Sequence, residues 1–292
     1  AMGKTSIASL DREGFVVNRY FVPWLNEAVR LFEEGAGTVG QIDKVACEVF
    51  DIGMGPFALM NATGVPITMH AANTLKVAFG PFYAPAAKLC EIVEAGQSWT
   101  IDTSPSLPDE ARGVITSRLR AAAWLACGQL VDEGVSNYSD TDLGARVGLR
   151  WRRGPFELAN GVGVFDARSE VAALASTWDL PVPAAFAARG TANFALPHVS
   201  QDVDGNVGII SMNRPASLNA LSPTLLADLE SAWTAMEQDE ALDGIVLRGV
   251  GKAFMAGADL KFFADAYQRS DLPDVMSFSN RAAKLFERID NA

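Results

Sequence analysis

The sequence GFVVNRYFVPWLNEAVRLFEEG occupies residues 14–35, and a related stretch, GVITSRLRAAAWLACGQLVDEG, occupies residues 113–134. The correspondence continues without gaps, so residues 14–65 align with residues 113–164 at a constant offset of 99 positions (113 minus 14). Identical pairs along the alignment are Arg19 and Arg118, Leu31 and Leu130, Glu34-Gly35 and Glu133-Gly134, Asp43 and Asp142, and Gly55-Pro56-Phe57 and Gly154-Pro155-Phe156. A gapless internal repeat of this length predicts two consecutive copies of one structural unit.

Each copy begins with a long helical pattern. Over residues 18–34, apolar side chains recur at the three- and four-residue spacing of one helix face. Gly35 and Gly134 are typical of the residue that ends such a helix. Further helical stretches follow, and strand signals are scarce before residue 200. The sequence therefore predicts a mainly α region, with a first copy at residues 1–108, a degenerate second copy at 109–185 and a linker at 186–200. A stretch rich in proline and serine at 102–109 connects the two copies.

The pattern changes beyond residue 200. The turn sequence DGN at 204–206 precedes an apolar strand at 207–212, and a helix at 221–238 leads to a second strand at 244–250. Two further helices are predicted at 260–267 and 276–289. A sheet of two clear strands cannot bury both of its faces. We therefore expect residues 201–292 to form an incomplete α/β segment.

Composition excludes several classes of protein. The formal net charge of −11 and the absence of a long basic run argue against binding to nucleic acid. No apolar stretch reaches the roughly 20 residues that span a membrane. Cys47, Cys90 and Cys127 are widely spaced and form no CxxC pair, which predicts neither disulfides nor a metal site and favours a reducing, cytoplasmic location. The opening AMG at 1–3 is typical of a cloning remnant.

The motif GFxxNR at 14–19, preceded by Lys4-Thr5-Ser6 and followed by GPFxL at 55–59, resembles the C-terminal domain of the 3-hydroxyacyl-CoA dehydrogenases. The repeat extends this resemblance to about residue 185. It implies that a Rossmann domain binds NAD and carries a catalytic His–Glu pair, while the helical domain closes over the substrate and forms the dimer. We expect no such Rossmann domain in this chain, because neither His70 nor His198 lies in a credible His–Glu arrangement.

The resemblance assigns one catalytic-site residue to the helical domain, and it matches Asn18. A neutral amide can orient a substrate oxygen or an imidazole without competing for the proton. The alternative is that Asn18 only caps the following helix, since asparagine is a favoured N-cap. The second copy has Ser117 at this position, which predicts a degenerate copy that mimics a dimer partner and has no active site. Arg19 and Arg118 are expected to be structural, each pairing with a carboxylate in its own copy of the repeat.

A second resemblance begins at residue 207 and is to the crotonase, or enoyl-CoA hydratase, superfamily. Its marks are NRP at 213–215, LNAL at 218–221 and GKAFMAGADLK at 251–261. The chemistry needs backbone N–H groups aimed at the thioester oxygen as it gains negative charge. The resemblance assigns the first of these donors to Ala258, and it implies substrate or CoA contacts from Ala256, Gly257, Asp259 and Lys261. The alternative is a plain glycine-containing turn before a helix.

The chain departs from the hydratase pattern. The second oxyanion donor and the two glutamates that act as general acid and base belong downstream of the stretch 276–289, and the sequence ends at Ala292. Ala216 stands where many relatives have a longer polar residue, and Met255 where they often have a small one. Lys261 is expected near the CoA phosphates or, alternatively, as an exposed helical lysine.

The two resemblances together imply part of a fusion enzyme that hydrates trans-2-enoyl-CoA and oxidises 3-hydroxyacyl-CoA with NAD. The expected partners are an acyl-CoA substrate, the missing Rossmann and crotonase parts, and a homo-oligomer with fewer subunits than single-repeat relatives have. We expect the chain alone to be inactive. One alternative is a non-catalytic acyl-CoA-binding or scaffold protein, and another is a chain whose missing parts are supplied by other polypeptides.

Overall fold

The computed structural model describes residues 7–103 and 106–292. The AMG start, the Lys4-Thr5-Ser6 stretch and two linker residues, Ser104 and Pro105, lie outside the described residues. The chain divides into two units, one running to Leu196 and the other beginning at Pro197. The first is entirely helical in its described part, and the second is an α/β segment, as the sequence predicts for the fold class. No helix in these described ranges is both long and apolar enough to cross a membrane.

Ten α-helices form the described part of the first unit, five in each copy. The first copy contains α1 (Val17–Glu33), α2 (Val39–Phe50), α3 (Pro56–Thr63), α4 (Val65–Phe79) and α5 (Ala87–Glu94). The second contains α6 (Asp109–Asp132), α7 (Tyr138–Gly148), α8 (Pro155–Val162), α9 (Val164–Thr177) and α10 (Ala184–Ala187). The order and lengths correspond from copy to copy, except that α6 starts earlier than α1 and α10 is shorter than α5. The linker predicted at residues 186–200 overlaps only the last two residues of α10 among these helices.

The two long helices end in the same way. Gly35 has φ +74° and Gly134 has φ +70°, the left-handed conformation that glycine adopts at low cost. Each glycine N–H and the N–H that follows it bond back to the last turn of the helix, at 3.1 and 2.9 Å after α1 and at 2.9 and 3.1 Å after α6. These two hydrogen bonds satisfy carbonyls at the helix end that would otherwise lack donors. The glycines therefore end both helices, as predicted.

The repeated aspartates hold the third helix of each copy. Both Asp43 carboxylate oxygens accept N–H groups from the first turn of α3, at 2.8 and 2.9 Å. Asp142 does the same for α8, with both distances at 2.8 Å. A carboxylate at a helix N-terminus satisfies free N–H donors and complements the helix dipole. The two copies thus share this aspartate cap as well as a similar sequence.

Helices α1 and α6 pack against each other at the centre of the first unit. Trp24 of α1 and Trp124 of α6 are fully buried. Trp24 meets Phe50 and Trp151 edge-on at ring distances of 5.4 and 5.5 Å, so aromatic side chains from both copies share one core. Such pairs add to the stabilisation from buried apolar area. The two copies consequently form a single hydrophobic core.

The second unit contains three strands, one more than the sequence predicts. The order is β1 (Val199–Asp204), β2 (Val207–Met212) and β3 (Gly244–Gly249), in which β2 pairs antiparallel with β1 and parallel with β3. The sequence does not predict β1 because only its first residue is buried, so it shows no apolar alternation. Gly205 at φ +59° makes the predicted turn between β1 and β2.

Helix α11 (Pro223–Glu237) connects the two parallel strands, and α12 (Leu260–Gln268) and α13 (Leu272–Asp290) follow β3. Ser222 caps α11 by accepting the Leu225 N–H at 3.2 Å. The core of this unit lies between β2, α11 and α13, with Ile210, Leu229 and Leu285 buried. Large apolar side chains on α12 and α13 remain exposed, among them Leu260, Tyr267, Leu272 and Met276.

Candidate functional site

The GFVVNR motif forms a turn that leads into α1. Gly14 has φ +78° and Phe15 has φ +47°, so two consecutive residues adopt the left-handed conformation. The helix begins at Val17, with Val16 at the N-cap position and no side-chain cap. Asn18 is therefore the second residue of the helix, and the alternative that it caps the helix is wrong. Its side chain is exposed and makes no hydrogen bond within the described residues, which leaves the amide free for a ligand.

The corresponding turn is absent from the second copy. Gly113 lies inside α6, which runs as a regular helix from Asp109. Ser117, the counterpart of Asn18, donates its hydroxyl to the Val114 carbonyl at 3.1 Å. A serine that bonds back to its own helix offers less to a ligand than a free amide does. The two copies therefore differ most at the position where the resemblance places a catalytic residue.

Arg19, which follows the turn, makes contacts with both copies. Its guanidinium donates to both oxygens of Glu133, at 3.0 and 2.8 Å, and its centre lies 3.5 Å above the Phe79 ring. The arginine is fully buried. Burial alone would lower its pKa, but the bonds to Glu133 and Tyr83 raise it on balance. The residue next to Asn18 is thus fixed to both copies.

Arg118 makes the reciprocal contact. It donates to both oxygens of Glu34 at 2.9 and 3.1 Å, and its Nε contacts buried Glu27 at 2.5 Å. The prediction that both arginines are structural agrees with these bonds, but each carboxylate belongs to the opposite copy and not to the arginine's own. The partner differs because α1 and α6 face each other, so the end of one helix meets the beginning of the other.

The second candidate site is the loop that precedes α12. Ala258 pairs with Leu221 in an isolated parallel bridge. Leu221 makes both bonds of that bridge, donating to the Gly257 carbonyl at 2.8 Å and accepting the Asp259 N–H at 2.9 Å. Because successive N–H groups in extended chain point to opposite sides, the Ala258 N–H points away from Leu221. Within the described residues it has no acceptor, so it is available to a ligand oxygen.

The three residues before Ala258 differ in conformation, hydrogen bonding and packing. Gly257 has φ +90°, and a Cβ atom built on it would meet nothing within 4 Å. Backbone conformation, and not lack of space, therefore requires glycine there. Ala256 donates its N–H to the Leu218 carbonyl at 3.1 Å, so its own N–H is not available. Met255 is partly buried and packs against the core of the second unit.

Asp259 and Lys261 hold the start of α12. The Asp259 carboxylate accepts the Lys261 N–H at 3.1 Å and the Arg214 guanidinium at 3.0 Å. The carboxylate is therefore occupied within the protein. Lys261 lies exposed in the first turn of the helix, which agrees with the alternative of an exposed helical lysine and leaves its ammonium accessible.

Three residues that support this loop were not assigned any role from the sequence. Arg214 bonds to Asp259, and buried Asn219 donates to the Val250 and Ala253 carbonyls at 3.0 and 2.8 Å. A Cβ atom on Gly249 would collide with the Ala253 and Phe254 carbonyls. Arg214 and Asn219 stand in the NRP and LNAL motifs, and buried polar side chains commonly bond backbone groups. The motifs do not indicate which groups these two residues bond.

Two family models match the chain. Residues 14–100 match the model of the 3-hydroxyacyl-CoA dehydrogenase C-terminal domain, and residues 202–291 match that of enoyl-CoA hydratase/isomerase. Both resemblances inferred from the motifs are thereby confirmed. The assignment of residues 109–185 rests on the sequence repeat and on the matching helices. The chain joins a dehydrogenase-type helical segment to a hydratase-type segment.

Curated relatives match each segment separately. A probable enoyl-CoA hydratase from Rhizobium meliloti is 48% identical over 60 residues, which is 20% of this chain and 23% of that protein. A 3-hydroxybutyryl-CoA dehydrogenase from Mycobacterium tuberculosis is 37% identical over 97 residues, 33% of this chain and 34% of that protein. The chain therefore spans about a quarter and about a third of these relatives.

One solved structure resembles a larger part of the chain. The crystal structure of 3-hydroxybutyryl-CoA dehydrogenase from Escherichia coli aligns with a TM-score of 0.52 at 16% identity. The alignment covers 61% of this chain and 59% of that one. At this identity the similarity shows a shared fold and no more.

Proposed function

We propose that this chain is part of a β-oxidation-type enzyme that hydrates trans-2-enoyl-CoA and oxidises the resulting (S)-3-hydroxyacyl-CoA with NAD. The observation that carries the proposal is the N–H of Ala258, which has no acceptor among the described residues and lies in the segment that matches the hydratases. The proposal also draws on Asn18, whose amide has no partner in residues 7–103 and 106–292 and lies in the segment that matches the dehydrogenases.

In the hydration step, Ala258 acts through its backbone. Addition of water to the double bond moves negative charge onto the thioester oxygen, and an N–H that is already aimed at that oxygen stabilises the charge without reorganising. Gly257, with its positive φ, turns the chain so that this N–H points outward. In our proposal the second donor and the glutamates that handle protons come from parts of the enzyme beyond these two units.

In the oxidation step, Asn18 orients and does not transfer a proton. Its amide can donate to the substrate oxygen or accept from an imidazole, and it cannot remove the proton that the imidazole must take. NAD, which accepts the hydride, would be held by a Rossmann domain outside these 292 residues. The bonds of Arg19 to Glu133 fix the backbone next to Asn18, so the second copy serves as a fixed support for the first.

A titration of the ¹⁵N-labelled chain with crotonyl-CoA tests this proposal. We expect the Ala258 amide resonance to move downfield as the thioester carbonyl accepts its hydrogen. The control ligand is S-butyl-CoA, a thioether that keeps the CoA moiety and lacks the carbonyl, and it should leave that resonance in place. Equal shifts with both ligands, or no shift at Ala258 while other amides move, would refute the assignment of the oxyanion donor.

A further inference from the structure

Arg214 connects the two chain segments that form the Ala258 bridge. Its Nη1 donates to the Ala220 carbonyl at 2.6 Å, and its Nη2 donates to the Asp259 carboxylate at 3.0 Å. Ala220 directly precedes Leu221, and Asp259 directly follows Ala258, the two residues that pair in the bridge. One guanidinium thus bonds both segments of the bridge, at the residue before Leu221 and at the residue after Ala258.

We propose that Arg214 is a positioning residue that sets the direction of the Ala258 N–H. The importance of Arg214 for catalysis rests on the proposed function, but its contacts with the Ala258 loop do not. The bridge consists of only two hydrogen bonds, from Leu221 and to Leu221. Leu221 is buried, but residues 256–258 on the other side of the bridge are exposed. That segment therefore opens more readily than a strand inside the sheet. A guanidinium bonded to both segments reduces that opening.

The requirement for arginine follows from geometry. Its planar guanidinium presents several donors in fixed directions, so it can bond a carbonyl and a carboxylate together. Lysine at the same position has a single charged nitrogen and can satisfy one partner well. The Arg214 and Asp259 side chains are 18% and 19% exposed, so solvent only partly screens the pair.

Asn219 fixes Arg214 in turn. Its Oδ1 accepts the Arg214 backbone N–H at 2.8 Å, while its amide nitrogen bonds two carbonyls of the loop after β3. Asn219 has φ +56° and is fully buried, a conformation that asparagine tolerates better than most residues do. The NRP and LNAL motifs therefore support the same loop, and Arg214 connects them to residues 257–259.

Amide hydrogen exchange of the full chain tests this role without any ligand. In Arg214→Met, we expect the Leu221 and Asp259 amides, which close the bridge, to exchange at least tenfold faster. The Ile210 amide in β2 should keep its rate. Arg214→Lys should restore part of the protection, because lysine can still reach Asp259 or Ala220. Arg269→Met removes an exposed arginine of the same unit, paired with Asp274 at 3.6 Å, and should change none of these rates.

The outcomes separate a positioning role from a general one. Bridge amides that keep their rates within twofold in Arg214→Met would overturn the proposal. A uniform acceleration that includes Ile210 would also overturn it, since Arg214 would then stabilise the whole unit. Selective loss at the bridge with partial rescue by lysine would support it.

A second measurement on the same variants keeps this inference apart from the proposed function. Crotonyl-CoA should shift the Ala258 resonance in the parent chain and in Arg214→Lys, and shift it less than half as far in Arg214→Met. If crotonyl-CoA moves no resonance even in the parent chain, the proposed function fails. The exchange rates would still decide whether Arg214 positions the Ala258 loop.

Discussion

At the scale of single residues, the two repeated aspartates show how burial changes an acid. Asp43 and Asp142 cap equivalent helices with equivalent bonds, yet Asp142 is the more deeply buried of the two, with 1% of its surface exposed against 6%. Burial raises the pKa of Asp142 to about 7, although the two N–H groups that it accepts lower the pKa in part. Burial also raises the pKa of Asp43, although the two N–H groups that it accepts lower that pKa in part. Both carboxyls at the repeated position therefore have raised pKa values.

The raised pKa of Asp142 predicts that the stability of the first unit depends on pH. In the unfolded chain an aspartate titrates near pH 4, roughly three units below the folded value of Asp142. Between those two values the folded unit binds more protons, so its free energy of unfolding is highest at the acidic end and falls as pH rises towards 7. The loss should approach roughly 1 kcal/mol per pH unit near pH 5–6. Asp142→Asn should remove that slope.

Urea unfolding between pH 5 and pH 8, followed by tryptophan fluorescence, measures the effect, because five of the six tryptophans lie before residue 197. Asp179→Asn is the matched control. Asp179 is exposed and has φ +51°, which asparagine also adopts. Parallel pH slopes for the parent chain and Asp142→Asn would show that Asp142 does not titrate in this range.

At the scale of elements, the pairing of α1 with α6 is held by reciprocal ion pairs that the sequence only partly predicts. The repeat places Arg19 and Arg118, and likewise Glu34 and Glu133, at matching positions. It carries no information on which arginine meets which glutamate, since that depends on how the two copies face each other. Reciprocal contact across a pseudo-twofold arrangement resembles an isologous dimer interface within one chain.

Removal of Arg19 should destabilise the first unit considerably. Arg19→Met takes away a fully buried guanidinium that lies over Phe79 and leaves Glu133 without its partner, which should cost about 3 kcal/mol in the free energy of unfolding. Arg152→Met is the control. Arg152 and its partner Asp51 are 69% and 59% exposed, so its loss should change stability by less than about 0.5 kcal/mol.

The same urea denaturation at a fixed pH compares these two variants. A loss for Arg19→Met no larger than that for Arg152→Met would mean that the α1–α6 contact is stabilised by apolar packing alone. The reciprocal ion pairs would then contribute to the orientation of the helices and not to their stability.

The elements themselves were predictable where a periodic pattern or a special residue specified them. Helices α1 and α6 follow from apolar spacing, and each ends two residues before its glycine, Gly35 or Gly134. Strand β1 was missed because it is exposed along most of its length, and its pairing with β2 depends on contacts between strands.

The sites were predictable in position more than in role. The motifs located Asn18 and Ala258, but the sequence could not show that Asn18 lies too far along α1 to cap it. The direction of the Ala258 N–H depends on a bridge to Leu221, 37 positions earlier in the sequence (258 minus 221). Such a contact between distant residues leaves no local pattern. The supporting roles of Arg214 and Asn219 depend on the same loop and were missed for the same reason.

At the scale of the whole molecule, the proposed function assigns to this chain one group from each of two active sites. Asn18 belongs to the unit that ends at Leu196, and Ala258 to the unit that begins at Pro197. Each group orients or stabilises, and neither transfers a proton or a hydride. We therefore expect the chain to depend on other parts of the enzyme for an acid, a base and NAD.

The most direct test follows crotonyl-CoA with the purified chain and NAD, recording loss of the enoyl thioester absorbance and formation of NADH in the same cuvette. We predict that neither signal exceeds the rate without protein. Hydration without NADH would contradict this dependence, because the acid and base of the hydratase site would then have to lie within these 292 residues. Formation of NADH from added 3-hydroxybutyryl-CoA would contradict it equally, by placing the NAD site in the chain.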